Sequence, residues 1–291
     1  MNRHRSEPDA GSPQAEKPRQ KLLRALRAIR DSGLPPTFDA IAGLTDTMLA
    51  HIGDIDSELR DEWIYGSFSE WIQAGAFEAQ QLRHILNVAL DEQHLFCRIG
   101  EKDTDSVFVR SFSMLLLPLL LSADRRTSWL REEEWRTIFS AVLRALEQER
   151  DLRGYVPEEG RGWAHAAAHA ADALEDLGRS EHAGAIERLH MLEGVRRRLL
   201  SADRVFVHDE DDRLAAAAET ILTQGEIGNE EWEAWLERFG EAPGPEAQPF
   251  AGEGRINARL FLQRLEIRLS AYAHEVSRAA QVRERASRLL M

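Results

Sequence analysis

Two histidines four residues apart, His165 and His169, stand in the alanine-rich run GRGWAHAAAHAADAL, 160–174, with Asp172 three residues further on. On a helix, imidazoles at i and i+4 share a face and can grip one divalent metal ion, as in the zinc-protease H-E-x-x-H pattern. Here Ala166 occupies the place of that pattern's glutamate base, so the protease reading fails. Asp172 is seven residues from His165, about 10 Å along a helix axis, which suits it to orient His169 rather than to share a metal with both histidines. A metal at His165 and His169 would need further ligands from another helix. The candidates are the run His208-Asp209-Glu210-Asp211-Asp212, or His182 and His190. The competing reading is structural: a polar stripe on a groove-facing helix, with the histidines donating to neighbouring carbonyls. A metal-free histidine base is the weaker chemical reading, because no nucleophile is visible nearby.

Placed on a helical wheel at about 100° per residue, His165, His169, Asp172 and Asp176 fall on one side, and Trp163, Leu174 and Leu177 on the other. Just upstream, ERDLRGYVPEEGRGW, 149–163, brings Arg153 and Arg161 to a helix N-terminus, where free N–H groups can hold an anion. Its spacing is not that of a phosphate loop, and Glu158 and Glu159 oppose an anion, so an ordinary long loop competes with that reading. The acids of 209–212 suit the positive start of the helix RLAAAAETIL.

The elements that must position these residues read as helices almost throughout. Leu82, Ile85, Leu86, Ala89 and Leu90 follow one helix face, as do Ile64, Phe68, Trp71 and Ile72, and Trp135, Ile138, Val142 and Leu146. Helices are expected to start near residues 20, 38, 57, 79, 105, 131, 161, 182, 211, 229 and 255. No convincing strand alternation is present. Short turns make neighbours antiparallel, and alternate helices recur roughly every 50 residues, close to the spacing of helix-pair repeats. The expected fold is therefore all-α: an irregular α-solenoid of stacked antiparallel helical hairpins, of HEAT or armadillo kind, with a compact helical bundle as the alternative. Pro118 should kink the most apolar helix. Residues 1–16 are polar and proline-containing and read as a disordered tail. Residues 17–291 read as a single domain, with a loop at 241–254 before a long basic C-terminal helix.

The 291 residues carry a formal net charge of −13, unevenly spread. Residues 1–24 hold +3 and residues 255–288 hold +5, which leaves −21 for the rest of the −13 total. Such a body repels phosphate backbones, which argues against nucleic acid as a partner and against a helical-repeat DNA glycosylase. The longest apolar run, FSMLLLPLLL, 112–121, is about half of what a membrane helix needs, so a core helix is expected and no membrane partner. One cysteine, Cys97, and an N-terminus without an apolar signal core point to the cytoplasm.

The segment DLRGYVPEEGRGWAHAAAHAADAL, 151–174, resembles the signature of the bacterial family called domain of unknown function 2785. RSFSMLLLPLLLSAD, 110–124, and DEDDRLAAA, 209–217, look similar to that family's flanking segments; Gly160-Arg161 departs from the pattern as an addition to the loop. The resemblance covers about residues 55–270 and implies an all-helical protein without an assigned activity. A stack of helices without a complete catalytic constellation is expected to serve as a protein-interaction module, for a protein or peptide partner. The alternative is a metal-binding protein or metal-dependent enzyme centred on His165 and His169.

Overall fold

A computed structural model describes residues 17–33, 36–241 and 252–289. The expected tail, 1–16, and most of the expected loop at 241–254 lie outside the described residues. Twelve α-helices are present among the described residues: α1 Pro18–Ser32, α2 Phe38–Ala50, α3 Gly66–Gln73, α4 Ala79–Ala89, α5 Ser106–Thr127, α6 Glu132–Gln148, α7 Ala166–Gly178, α8 Ala185–Leu200, α9 Glu210–Thr223, α10 Asn229–Glu237, α11 Gly252–Leu269 and α12 Val276–Arg288. A π-helical segment, Glu58–Tyr65, runs directly into α3. The strands β1 Tyr155–Val156 and β2 Gly162–Trp163 form one small antiparallel hairpin.

The helices stand in two rows. α3, α5, α7, α9 and α11 pack side by side in one, and α1 joins it through the π-helical segment. α6, α8, α10 and α12 pack in sequence in the other, where α2 also packs on α4. The link from α4 to α6 is made by Arg83, which pairs with Glu134 at 2.8 Å and donates to the Trp129 carbonyl. Between the rows lies one continuous apolar core, from Leu22 on α1 to Val282 on α12. This is the all-α stack of helical hairpins that the periodicity predicts.

Local sequence sets the helix ends. Thr37 accepts from the Ala40 N–H at 3.3 Å, and Glu134 accepts from the Arg131 N–H at 2.8 Å, each satisfying an N–H at a helix start. The alanines of α7 and α9 carry little bulk, so α5, α7 and α9 approach closely, and Ala171, Ala173, Ala215 and Ala217 are fully buried. α5 runs unbroken through Pro118. At 22 residues it is longer than its apolar run suggests and by length and composition could cross a membrane; in the fold, most of it is buried.

Arginine stitches the rows together. The chain has 34 Arg and only three Lys. Arg198 donates to the carbonyls of Leu146 and Glu149 at the end of α6, and Arg188 to those of Ile221 and Gln224 at the end of α9. Helix C-termini leave carbonyls unpaired, and a planar guanidinium can serve two at once. The Arg198 bonds and several inter-helix ion pairs recur at separations near 50 residues, as in Arg136–Glu187 at 51 and Arg268–Glu219 at 49.

Two expectations are corrected here. The long basic C-terminal helix is two helices, broken between Leu269 and Val276, so that α12 folds back on α11. The helix expected near 161 starts at Ala166, because the hairpin takes the residues before it.

Candidate functional site

The helices of the first row are parallel, so the starts of α5, α7 and α9 and the loops before them lie along one edge. The histidines stand at this edge. His165 is not on the helix face assumed by the wheel. It is the residue before α7, with φ of 50° in the left-handed region. Asp209, in the same position before α9, has φ of 64°. His and Asp tolerate this conformation better than bulkier residues, at a cost of about 1–3 kcal/mol each.

The hairpin fixes the approach to His165. The N–H groups of Ala164 and His165 donate to the carbonyls of Gly154 and Arg153 at 2.8 and 3.0 Å. From below, the buried Arg60 on the π-helical segment donates to the Arg161 carbonyl at 2.6 Å and to the Trp163 carbonyl at 3.4 Å. The same guanidinium stacks over Phe108 and Phe112 at 4.5 and 4.6 Å and pairs with Asp61.

His165 Nε2 donates to the His208 carbonyl at 2.9 Å, and Glu210 Oε1 lies 3.6 Å from the same nitrogen. Glu210 is buried, and its Oε2 accepts from the His208 N–H at 2.9 Å. Trp163 stacks on His165 with centroids 4.5 Å apart, and His208 meets the Trp163 ring edge to face at 5.6 Å. His169 lies deeper, 6.0 Å from His165 between centroids, edge to face with Phe112 at 5.4 Å. Its Nδ1 donates to the Ser111 carbonyl at 3.1 Å. A chain of ring contacts thus runs from Tyr65 through Phe112, His169 and His165 to Trp163 at the surface.

Burial dominates the electrostatics. It pushes His169 down to about 3, helped by the nearby His165, and lowers His165 despite Glu210. Both imidazoles are therefore neutral at pH 7. Burial raises Asp172 and Asp176 even though each has an arginine partner.

The further ligands that a metal at His165 and His169 would need are not assembled around them among the described residues. One ring nitrogen of each is engaged by a carbonyl, as the structural reading expects. Among the described residues, no group of three or more His, Cys, Asp or Glu side chains is arranged to hold a metal ion. The orienting role expected of Asp172 is also not seen. Its carboxylate takes a two-pronged bond from Arg213 on α9, at 2.8 and 2.5 Å. In the loop, Arg153 is held by Asp151 and the Thr104 carbonyl, each at 2.7 Å, and Arg161 by Glu159 at 3.2 Å and Asp105 at 3.4 Å. Both proposed anion-binding arginines already face carboxylates.

The site thus differs from the expected pair. It joins His165 to Trp163, His208 and Glu210, with Arg60 as its support. His208 and Glu210 belong to the run that the sequence offers as a source of groups for the histidines, though spacing does not single them out, and nothing local marks Arg60, whose partners lie 101 and 103 residues away.

Together these features define an all-helical protein of two stacked rows with an aromatic and histidine cluster at its loop edge. The family model described as "Protein of unknown function (DUF2785)" matches residues 95–267, from the loop before α5 into α11, and the chain belongs to that family. The match begins 40 residues later than the expected start at 55 and ends near the expected 270. No curated protein and no solved structure matches the chain.

Proposed function

We propose that the chain is a protein-interaction module that docks a protein or peptide partner at the loop edge of its first helical row. The observation that carries this reading is the exposed aromatic pair of the hairpin. Tyr155 and Trp163 are 46% and 40% exposed, and their rings pack edge to face at 4.9 Å. Val207, 72% exposed, extends the apolar surface along the next loop. Tryptophan and tyrosine held rigidly in the open are the side chains that anchor interfaces, because they bury much area for little lost freedom. Here Arg60, the strained His165 and the Trp163–His165 stack supply the rigidity. The net charge of −13 favours a protein partner over nucleic acid, and the lone cysteine suits a cytoplasmic setting.

The test is quantitative affinity capture with the wild-type chain and a Tyr155→Ala/Trp163→Ala variant that keeps its helical circular dichroism. At least one protein captured by the wild type should drop about tenfold or more with the variant, the loss expected of hot-spot anchors. Equal capture of every protein by both chains would remove the hairpin from the interface.

A further inference from the structure

A cavity of about 20 Å³ lies between α5, α6, α7 and α8, behind the start of α7. Every residue lining it is buried. Most of the wall is apolar, including Leu95, Met114 and Leu146; the charged groups on it are Arg110, Glu149 and Arg198. About 10–15 Å³ of such space holds one water, so the cavity has room for one small ion or water and not for an organic ligand.

The charges around it do not cancel. Arg110 and Glu149 pair at 2.6 and 2.9 Å. Glu149 Oε1 accepts in addition from the N–H groups of Arg150 and Asp151, so this carboxylate is fully occupied. Arg198, 2% exposed, donates only to neutral oxygens: the Leu146 and Glu149 carbonyls and the Ser201 hydroxyl. Its Nε meets no acceptor. Burial pushes Arg198 down to about 10, the nearby Arg150 adds to the shift, and Glu149 and Asp203 offset it only in part. A second positive end adds to it. Ala166 and Ala167 of the first turn of α7 line the same cavity, and His165 gives that turn no side-chain cap. The first N–H groups of a helix have no partner within it and carry the positive end of its dipole.

We propose that this cavity binds one monoatomic anion, chloride under physiological conditions, held by Arg198 and the first turn of α7 against an apolar wall. The ion balances the extra buried positive charge and ties α6 and α8 to α7 at the base of the histidine cluster. A weakly hydrated halide suits a site with few donors and apolar contacts, and fluoride, held tightly by water, suits it poorly.

The test uses the full chain exchanged into sodium gluconate. Thermal midpoints are measured as chloride, bromide or fluoride replaces gluconate at constant ionic strength. Chloride and bromide should raise the midpoint with saturation, by about 2–4 °C at tenfold excess over the dissociation constant, and fluoride should not. Arg198→Met should abolish the response, while Arg197→Met, an exposed neighbour on α8, should keep it. If Arg198→Met does not fold, crystals of the wild type grown in bromide decide the matter: anomalous bromine density in the cavity is expected. Equal midpoints in all salts would overturn the proposal. So would a chloride response without bromine in the cavity, which would place the ion elsewhere.

Discussion

Asp172 on α7 and Arg213 on α9 form a two-pronged ion pair at 2.8 and 2.5 Å, bridging neighbouring helices of the first row. Asp176 does the same toward α5, pairing with Arg125 at 2.5 Å, and Arg268 on α11 reaches Asp212 and Glu219 on α9 at 2.7 and 3.0 Å. The polar stripe of α7 is therefore part of a ladder of charge pairs along the row. Its carboxylates fix spacing and register between helices and do not serve the histidines. Arg213 is about half exposed, so solvent screens the pair. A double-mutant cycle with Asp172→Asn and Arg213→Gln should show a coupling of about 1 kcal/mol in urea unfolding, smaller in 1 M salt. Zero coupling at low salt would remove the pair from the forces that hold the row.

Local patterns predicted much of the fold, and contacts distant in sequence decided the rest. The start of α2 at Phe38, of α4 at Ala79 and of α10 at Asn229 follow from the apolar period and the residues before each helix. The recurring separation near 50 residues reports the two-row stack, because ion partners on successive helices of a row must lie one hairpin apart. The site was less visible. A wheel drawn through His165 assumes helical backbone, and the Gly154–Ala164 and Arg153–His165 bonds set that residue outside the helix. Asp172 could not be assigned to Arg213 from spacing, because the two are 41 residues apart. The break after Leu269 contains no glycine or proline. It arises where α12 turns back to bond α10, with Gln281 accepting from Trp232 at 2.6 Å.

His169 should make stability fall in acid. Its folded pKa, about 3, lies below the ordinary 6.5, so the unfolded chain binds the proton more readily. Its contribution is complete above pH 6.5 and is lost as the pH falls toward 3. Between pH 7 and pH 5 the loss is about 2 kcal/mol for one such group. Urea unfolding across this range should show it, and His169→Gln should flatten the slope by about one proton. The slope left in the variant belongs partly to His165, which is lowered in the same direction. An unchanged slope in His169→Gln would mean that His169 is not a buried neutral imidazole.

Two glycines should respond to alanine with opposite sign. A β-carbon at Gly53 would lie 2.5 Å from the backbone Cα of Val109, so α5 would have to move. Gly43, in the middle of α2, has nothing within 4 Å of that position. Gly53→Ala should destabilise by about 1–3 kcal/mol, as overpacking does. Gly43→Ala should stabilise by about 0.5–1 kcal/mol through helix propensity. Thermal unfolding of the two variants checks both signs, and a stabilised Gly53→Ala would contradict the close approach of α5.

Burial, rather than the number of ion pairs, decides which arginine matters most. Arg110 and Glu149 are almost fully buried, and Arg110 also holds the Cys97 carbonyl at 2.9 Å and the Ser106 hydroxyl at 2.8 Å. Arg110→Met keeps the length of the side chain but strands Glu149 inside the protein with only backbone donors, next to the cavity. An uncompensated buried charge of this kind costs about 3–5 kcal/mol. Arg136 makes two ion pairs on the surface, with Glu132 at 2.9 Å and Glu187 at 3.3 Å, and is more than half exposed. Its screened contribution should stay below about 1 kcal/mol, so Arg136→Met should be nearly silent. The double change Arg110→Met/Glu149→Gln should recover part of the loss, because it removes the stranded charge along with its partner. Urea unfolding of the three variants orders them. If Arg136→Met cost as much as Arg110→Met, the stack would rest on its surface charges, and the buried pair would be incidental to its stability.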